Sequence, residues 1–175
     1  LLVILSDHGQ ALGERGRYAV HGHCYDEILR MVLVVRDPRL RQRGRTVHQL
    51  VQGLDVMPTI LELLELPIPP TAQGRSLVPL LRTGRDPGRE AVAVSVRSGV
   101  RAIRTPEWKL ISHSHGGQEL YHVAQDPGEQ DDLIEDHPDV AQELQQRLDA
   151  VVSAEVVSPW PFDDQEAWEQ ERSYW

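Results

Sequence analysis

At 175 residues the chain is long enough for one domain core, or for the remainder of a larger one cut through its middle, and its formal net charge is −9. That acidity speaks against a nucleic-acid or anionic-membrane partner, both of which are held through basic patches, while small anions stay open because a metal or a local cluster of donors can reverse the field inside one pocket. The lone cysteine, Cys24, excludes an internal disulfide framework and a cysteine-rich zinc cluster, and no stretch reaches the roughly 20 apolar residues of a membrane helix. The eighteen basic residues include a single lysine, Lys109, a skew that reads as a compositional habit of the genome. None of this fixes the compartment.

The opening Leu1-Leu2-Val3-Ile4-Leu5 has the pattern of a strand buried on both faces. Such a strand needs neighbours, and because the chain offers few other runs of this kind its partners are expected upstream of Leu1. Ser6-Asp7-His8-Gly9 then leads into a polar loop, Gln10 to Cys24, with neither helical nor strand period. Met31 to Val35 is a second core-strand pattern, closed by Arg36-Asp37-Pro38. From Asp55 to Leu66 the spacing predicts a helix, with an acidic residue at its start, Pro58 in the first turn, apolar Val56, Ile60, Leu63 and Leu64 on one side, and Pro67 to end it.

The texture changes near Ala91. Short runs from Ala91 to Val96, Val100 to Arg104, Trp108 to Ile111 and Glu119 to Val123, separated by turn residues, predict an antiparallel meander. Asp126-Pro127-Gly128 is a turn, and the acidic Glu129 to Asp132 is expected to start the next helix. Val140, Leu144, Leu148 and Val151 form the stripe of an amphipathic helix able to cover one face of the meander. The division expected is therefore an α/β unit over residues 1–82, a small sheet-and-helix unit over 90–155, and an acidic, aromatic tail over 156–175, with the boundary between Thr83 and Arg89.

Asp7 and His8 stand where a buried strand runs out into a loop, the place where open α/β sheets bind ligands. A carboxylate and an imidazole on consecutive residues there can turn towards one divalent cation, and Gly9 lets the backbone come close; an Asx-type turn beside a surface histidine is the plain alternative. His21-Gly22-His23 adds two imidazoles in the same loop, able to bind metal or, when protonated, to donate to an oxyanion, against the alternative of a solvated histidine-rich loop. Other polar residues read as structural. Arg30 is placed as a brace for Asp26 or Glu27, Trp108, Lys109 and Tyr121 as hairpin packing, and His113 and His115 as solvent-facing.

Taken in order, Leu2 to Gly9 with Leu12-Gly13-Glu14, His21 to Glu27 and Leu29 to Arg36 resembles the C-terminal half of a sulfatase core, of the alkaline-phosphatase-like class. The likeness continues through Val51 to Leu66 ("D-x-x-P-T-x-L"), Gly74 to Leu77 ("G-x-S-L"), Val100 to Ile111 ("R-x-x-R-x-x-x-W-K-L-I") and Glu119 to Gln130 ("E-L-Y-x-x-x-x-D-P-x-E"). The resemblance implies the C-terminal part of an alkaline-phosphatase-like α/β sandwich, followed by a small antiparallel sheet packed on a C-terminal helix. It implies a metal-dependent sulfatase hydrolysing sulfate esters, acting on a small sulfated or phosphorylated substrate.

Carried over by position, the resemblance makes Asp7 and His8 ligands of the active-site divalent cation. That ion is calcium in relatives with asparagine at the second place; the histidine variant, found in phosphatase-like and phosphonate-ester-cleaving relatives, admits manganese or zinc. His21 occupies the place of a lysine that contacts the substrate sulfate, with His23 its rival; a histidine there, ordinarily titrating near 6.5, implies a more acid optimum. The family's formylglycine nucleophile derives from a cysteine in "C-x-P-S-R", a context Cys24 lacks, so the nucleophile is expected upstream, Cys24 reads as an ordinary buried thiol, and this chain alone is expected to be inactive. Two alternatives remain at this point: a phosphodiester or phosphonate monoester hydrolase of the same fold, and a non-catalytic binding homologue.

Overall fold

Strand periodicity decides the architecture of the second half. A computed structural model describes residues 1–18, 23–40, 44–84, 89–95 and 99–154. Strands β3 (Val92–Ser95), β4 (Val100–Arg104), β5 (Lys109–His113) and β6 (Gln118–Tyr121) form an antiparallel sheet in sequential order, the meander that the turn residues predict. Its register aligns Ala93 with Ile103, Ile103 with Leu110 and Leu110 with Leu120, so one face is an apolar row. Helix α4 (Pro138–Ala154) lies on that row, and Ala141, Leu144 and Leu148 close a core with Ile103, Leu110 and Leu120. Val152 packs at the edge of this core while Val151 is exposed, so the buried stripe ends one position further along than the sequence suggests.

Because side chains alternate across a strand, the opposite face carries the other set: Val100, Ala102 and Arg104 from β4, Lys109, Ile111 and His113 from β5, Glu119 and Tyr121 from β6. Its apolar members build a second core with Cys24 and Val123, and Tyr25 and Leu29 pack against it. One face thus serves α4; the other holds the segment that follows the histidine loop. That segment includes the short helix α1 (Asp26–Leu29).

In the first half β1 (Leu2–Leu5) pairs antiparallel with β2 (Leu33–Arg36), Ile4 opposite Val34. Neither strand is buried on both faces in this chain. Leu2, Ile4 and Leu5 are each about half exposed, as are Val32 and Val34, whereas Val35 packs against Leu40, Leu63 and Val78.

The helix predicted from Asp55 is α2 (Val56–Leu63), but its buried side is Pro58, Thr59 and Leu63, with Leu64 half exposed. Thr59 is drawn inward because its hydroxyl accepts the Leu77 N–H, so a polar residue takes part of the stripe expected to be apolar. Asp55 does not cap that helix with its side chain. Its fully buried carboxylate instead accepts from Gln52 N, Arg75 N and Arg89 Nη2, at 2.8, 2.9 and 2.6 Å. This hub brings in the segment before α3 (Val78–Thr83), a helix the apolar pattern does not announce. Leu40, Leu63 and Val78 form the small core there.

No helix starts at Glu129. Asp126 Oδ2 accepts from Gln130 N and Asp131 N, Glu129 takes a left-handed φ of 52°, and Leu133 N–H donates to Leu120 O, so the chain runs beside β6 until α4 begins at Pro138. The expected tail, 156–175, and most of the expected boundary, 85–88, lie outside the described residues. Among the described residues no helix is long and apolar enough to cross a membrane.

Candidate functional site

At the end of β1, Ser6 is tied to Val32 in both directions, its N–H donating to Val32 O at 3.1 Å and its Oγ accepting from Val32 N at 2.9 Å. Asp7 and His8 follow immediately and point the same way: His8 Nε2 lies 3.6 Å from Asp7 Oδ2, and the His8 N–H donates to Asp7 Oδ1 at 2.9 Å. His8 Nδ1 is 2.5 Å from Gly9 O. Asp7 is 87% exposed at its side chain, so the pair faces outward. Gly9 brings the backbone against α1: its N–H donates to Ile28 O at 2.7 Å, and a Cβ on residue 9 would collide with the Glu27 carbonyl oxygen.

Two donors converge there, and two are fewer than a cation needs. Among the described residues no group of three or more histidine, cysteine or acidic side chains is arranged to hold a metal ion. His21 and Gly22 lie outside the described residues.

His23 belongs to a different neighbourhood. Arg17 Nη1 lies 2.8 Å from its Nε2 and 3.2 Å from its Nδ1, and burial together with the Arg17 cation holds the imidazole below its ordinary 6.5. The fixed cation beside His23 is Arg17. The His23 ring centroid lies 6.1 Å from that of Tyr25. Tyr25 is gripped in turn, with the Arg15 guanidinium 3.8 Å above its ring and its hydroxyl donating to Glu119 Oε2 at 2.7 Å.

Glu119 also accepts from Tyr121 Oη at 2.6 Å and pairs with His113 Nε2 at 2.8 Å. Burial alone would raise this carboxyl, but the hydrogen bonds from Tyr121, Tyr25 and His113 outweigh it and hold Glu119 below its usual range. Tyr25 is pushed up to about 12, by burial first and by Glu119 second. His113 is thus a bonded member of the sheet face, where a solvent-facing histidine was expected; His115 is exposed.

One turn further on, Asp26 N donates to Glu129 Oε2 at 2.8 Å, and Lys109 Nζ sits between Asp26 Oδ1 at 2.9 Å and Glu129 Oε1 at 2.5 Å. Lys109 is completely buried. It is the anchor of the site's scaffold and not hairpin packing, because an ammonium without solvent must be compensated by charge and hydrogen bonds. Burial holds Glu129 above the usual carboxylate range even with that ammonium beside it. Arg15 adds a second tie, pairing with Glu27 Oε1 at 2.6 Å and donating to Glu129 O at 2.6 Å and Gly128 O at 3.0 Å. The brace expected from Arg30 is therefore supplied by Lys109 to Asp26 and by Arg15 to Glu27. Cys24, buried with its thiol pushed up to about 11 by that burial, is no nucleophile.

Arg15, Arg17, Glu119 and Glu129 are the residues sequence reasoning passed over. The two glutamates stand at fixed places in the "E-L-Y-x-x-x-x-D-P-x-E" pattern, and strand alternation places Glu119 on the same face as Lys109, a signal legible in advance. Nothing local marks either arginine.

The fold is that of the sulfatases of the alkaline-phosphatase-like class: a solved structure of a protein in complex with its substrate D-glucosamine-2-N,6-O-disulfate superposes with a TM-score of 0.78 at 27% identity, covering 85% of this chain and 33% of that one. More narrowly, the chain belongs to the N-sulphoglucosamine sulphohydrolase C-terminal family, whose profile matches residues 13–154. A Delta 4,5-hexuronate-2-O-sulfatase of Bacteroides thetaiotaomicron is 31% identical to it over 147 residues, 78% of this chain and 31% of the relative. Arylsulfatase K of Gallus gallus is 28% identical over 90% of this chain and 32% of its own length. The chain thus spans about a third of the length of the relatives it matches.

Proposed function

We propose that in the whole protein this chain supplies part of the active site of a metal-dependent sulfatase, with Asp7 and His8 on the cation and His21 on the sulfuryl oxygens of a small sulfated saccharide. The observation that carries this reading is the convergence of Asp7 Oδ2 and His8 Nε2 to 3.6 Å at a strand end, in a chain of the sulfatase family. The donor set suits a divalent cation, calcium by the resemblance, with manganese or zinc admitted by the imidazole. When bound, such an ion would polarise the sulfuryl oxygens. The saccharide is suggested by the hexuronate sulfatase relative and by the glucosamine disulfate of the structural neighbour.

This chain's own residues orient and stabilise. His23 is engaged by Arg17 Nη1 at 2.8 Å, which favours His21 over it as the imidazole for the sulfuryl group. The formylglycine that the resemblance implies has no counterpart in Cys24, so this chain alone is expected to show no turnover. Titration of full-length protein with calcium or manganese, by calorimetry and by turnover of an aryl sulfate, tests the proposal. Asp7→Ala should abolish the metal response and lower turnover at least a hundredfold with little change in Tm, since that side chain is exposed. Metal-independent turnover, or an Asp7→Ala protein as active as the parent, would refute it.

A further inference from the structure

We infer that Glu119 is a positioning residue that acts through the Tyr25 hydroxyl to fix the segment from His23 into α1, against which the Asp7–His8 loop is tied; this rests on the sulfatase reading of the site. The geometry is specific. Glu119 Oε2 accepts two phenols, Tyr25 at 2.7 Å and Tyr121 at 2.6 Å, while Oε1 meets His113 at 2.8 Å. Of these three partners two belong to the sheet itself, and Tyr25 alone belongs to the segment that runs back to His23. The carboxylate is therefore a pin between the meander and the histidine turn.

The direction of control follows from what else holds Tyr25. Its ring is covered by Arg15, and the Tyr121 ring stands edge-on with centroids 6.4 Å apart. Packing limits where the ring lies, and the hydroxyl bond to Glu119 ties its tip to the sheet. Two residues back, His23 contacts the same ring. A shift of the ring thus moves His23 and also bears on the Asp7–His8 loop, because Gly9 N–H donates to Ile28 O at 2.7 Å and Ile28 N–H donates to Tyr25 O at 3.0 Å. A carboxylate accepting from charged or polar donors on both oxygens is a directional anchor, and catalysis is sensitive to sub-ångström placement of groups that meet the transition state.

The two phenols on one oxygen provide the control. Tyr25→Phe, Tyr121→Phe, Glu119→Ala and the Tyr25→Phe, Glu119→Ala double variant are made in the full-length protein, and kcat, KM, Tm and amide hydrogen exchange over residues 23–29 are measured. The expected result is that Tyr25→Phe lowers kcat on an aryl sulfate at least tenfold with KM within threefold and speeds exchange over that segment, while Tyr121→Phe leaves both within twofold. Adding Tyr25→Phe to Glu119→Ala should cost nothing further. Equal losses from the two Tyr→Phe variants, additive losses in the double variant, or losses that track Tm would overturn the inference. If the parent protein turns over no sulfate ester, the sulfatase reading fails, and the exchange rates of Tyr25→Phe and Tyr121→Phe still decide the positioning role: faster exchange in the first alone upholds it, and equal rates refute it.

Discussion

The meander with α4 and the ribbon of β1 and β2 are made of similar residues and end up in opposite conditions. Ile103, Leu110, Leu120, Leu144 and Leu148 are at most 2% exposed, whereas Leu2, Ile4 and Leu5 remain about half exposed. The difference lies in partners: α4 covers one face of the meander and Cys24 to Leu29 the other, while the ribbon meets a described core at Val35, beside Leu40, Leu63 and Val78. The candidate site straddles the two. Asp7 and His8 follow the end of β1 in the ribbon, and the segment from His23 to Leu29 hangs from the meander through Lys109, Glu119 and Glu129.

If that division is real, substitutions on the meander side should cost far more stability than those on the ribbon. The largest effect is expected at Lys109. Lys109→Met keeps the stem but removes the ammonium between Asp26 and Glu129, leaving them the longer contacts from Arg104 Nε at 3.5 Å and Arg15 Nη2 at 3.8 Å, which should cost about 3–5 kcal/mol in chemical denaturation. A loss below about 1 kcal/mol would mean that the buried trio is not a stabilising joint. Next comes a direct contrast. Leu144→Ala opens a cavity in a closed core and should cost about 2–5 kcal/mol, whereas Ile4→Ala in this chain should cost about 1 kcal/mol or less because half its surface already meets water. Equal losses would show that the ribbon is covered after all.

The smallest effect is electrostatic. The His23 imidazole should titrate below 6.5 by NMR, and Arg17→Ala should move the midpoint up, because a neighbouring cation disfavours the protonated ring. Burial is the larger cause, so the recovery should be partial. A downward movement would mean that Arg17 does not face the imidazole.

Much of this was readable beforehand. Turn residues and period-two runs located the four strands of the meander, the stripe through Leu144 and Leu148 located α4, and the motif order placed Asp7 and His8 at a strand end. What misled were residues whose partners lie far along the chain. Glu129 has the local look of a helix start, yet its carboxylate is taken by Lys109 and Asp26, 20 and 103 positions away in sequence. Asp55 likewise looks like a cap and is a buried hub for Arg75 and Arg89. Arg30 is the natural neighbour for Asp26 and Glu27 only while the meander is out of view.

By itself the sequence determined the meander, α2, α4 and the resemblance to the family, because periodicity, turn chemistry and motif spacing are local properties of the chain. Tertiary structure alone decided which charges meet. A buried ammonium or carboxylate is tolerated only where groups from separate segments converge on it, and that convergence is written in the register of the sheet and the docking of α1 upon it, not in any short run of residues.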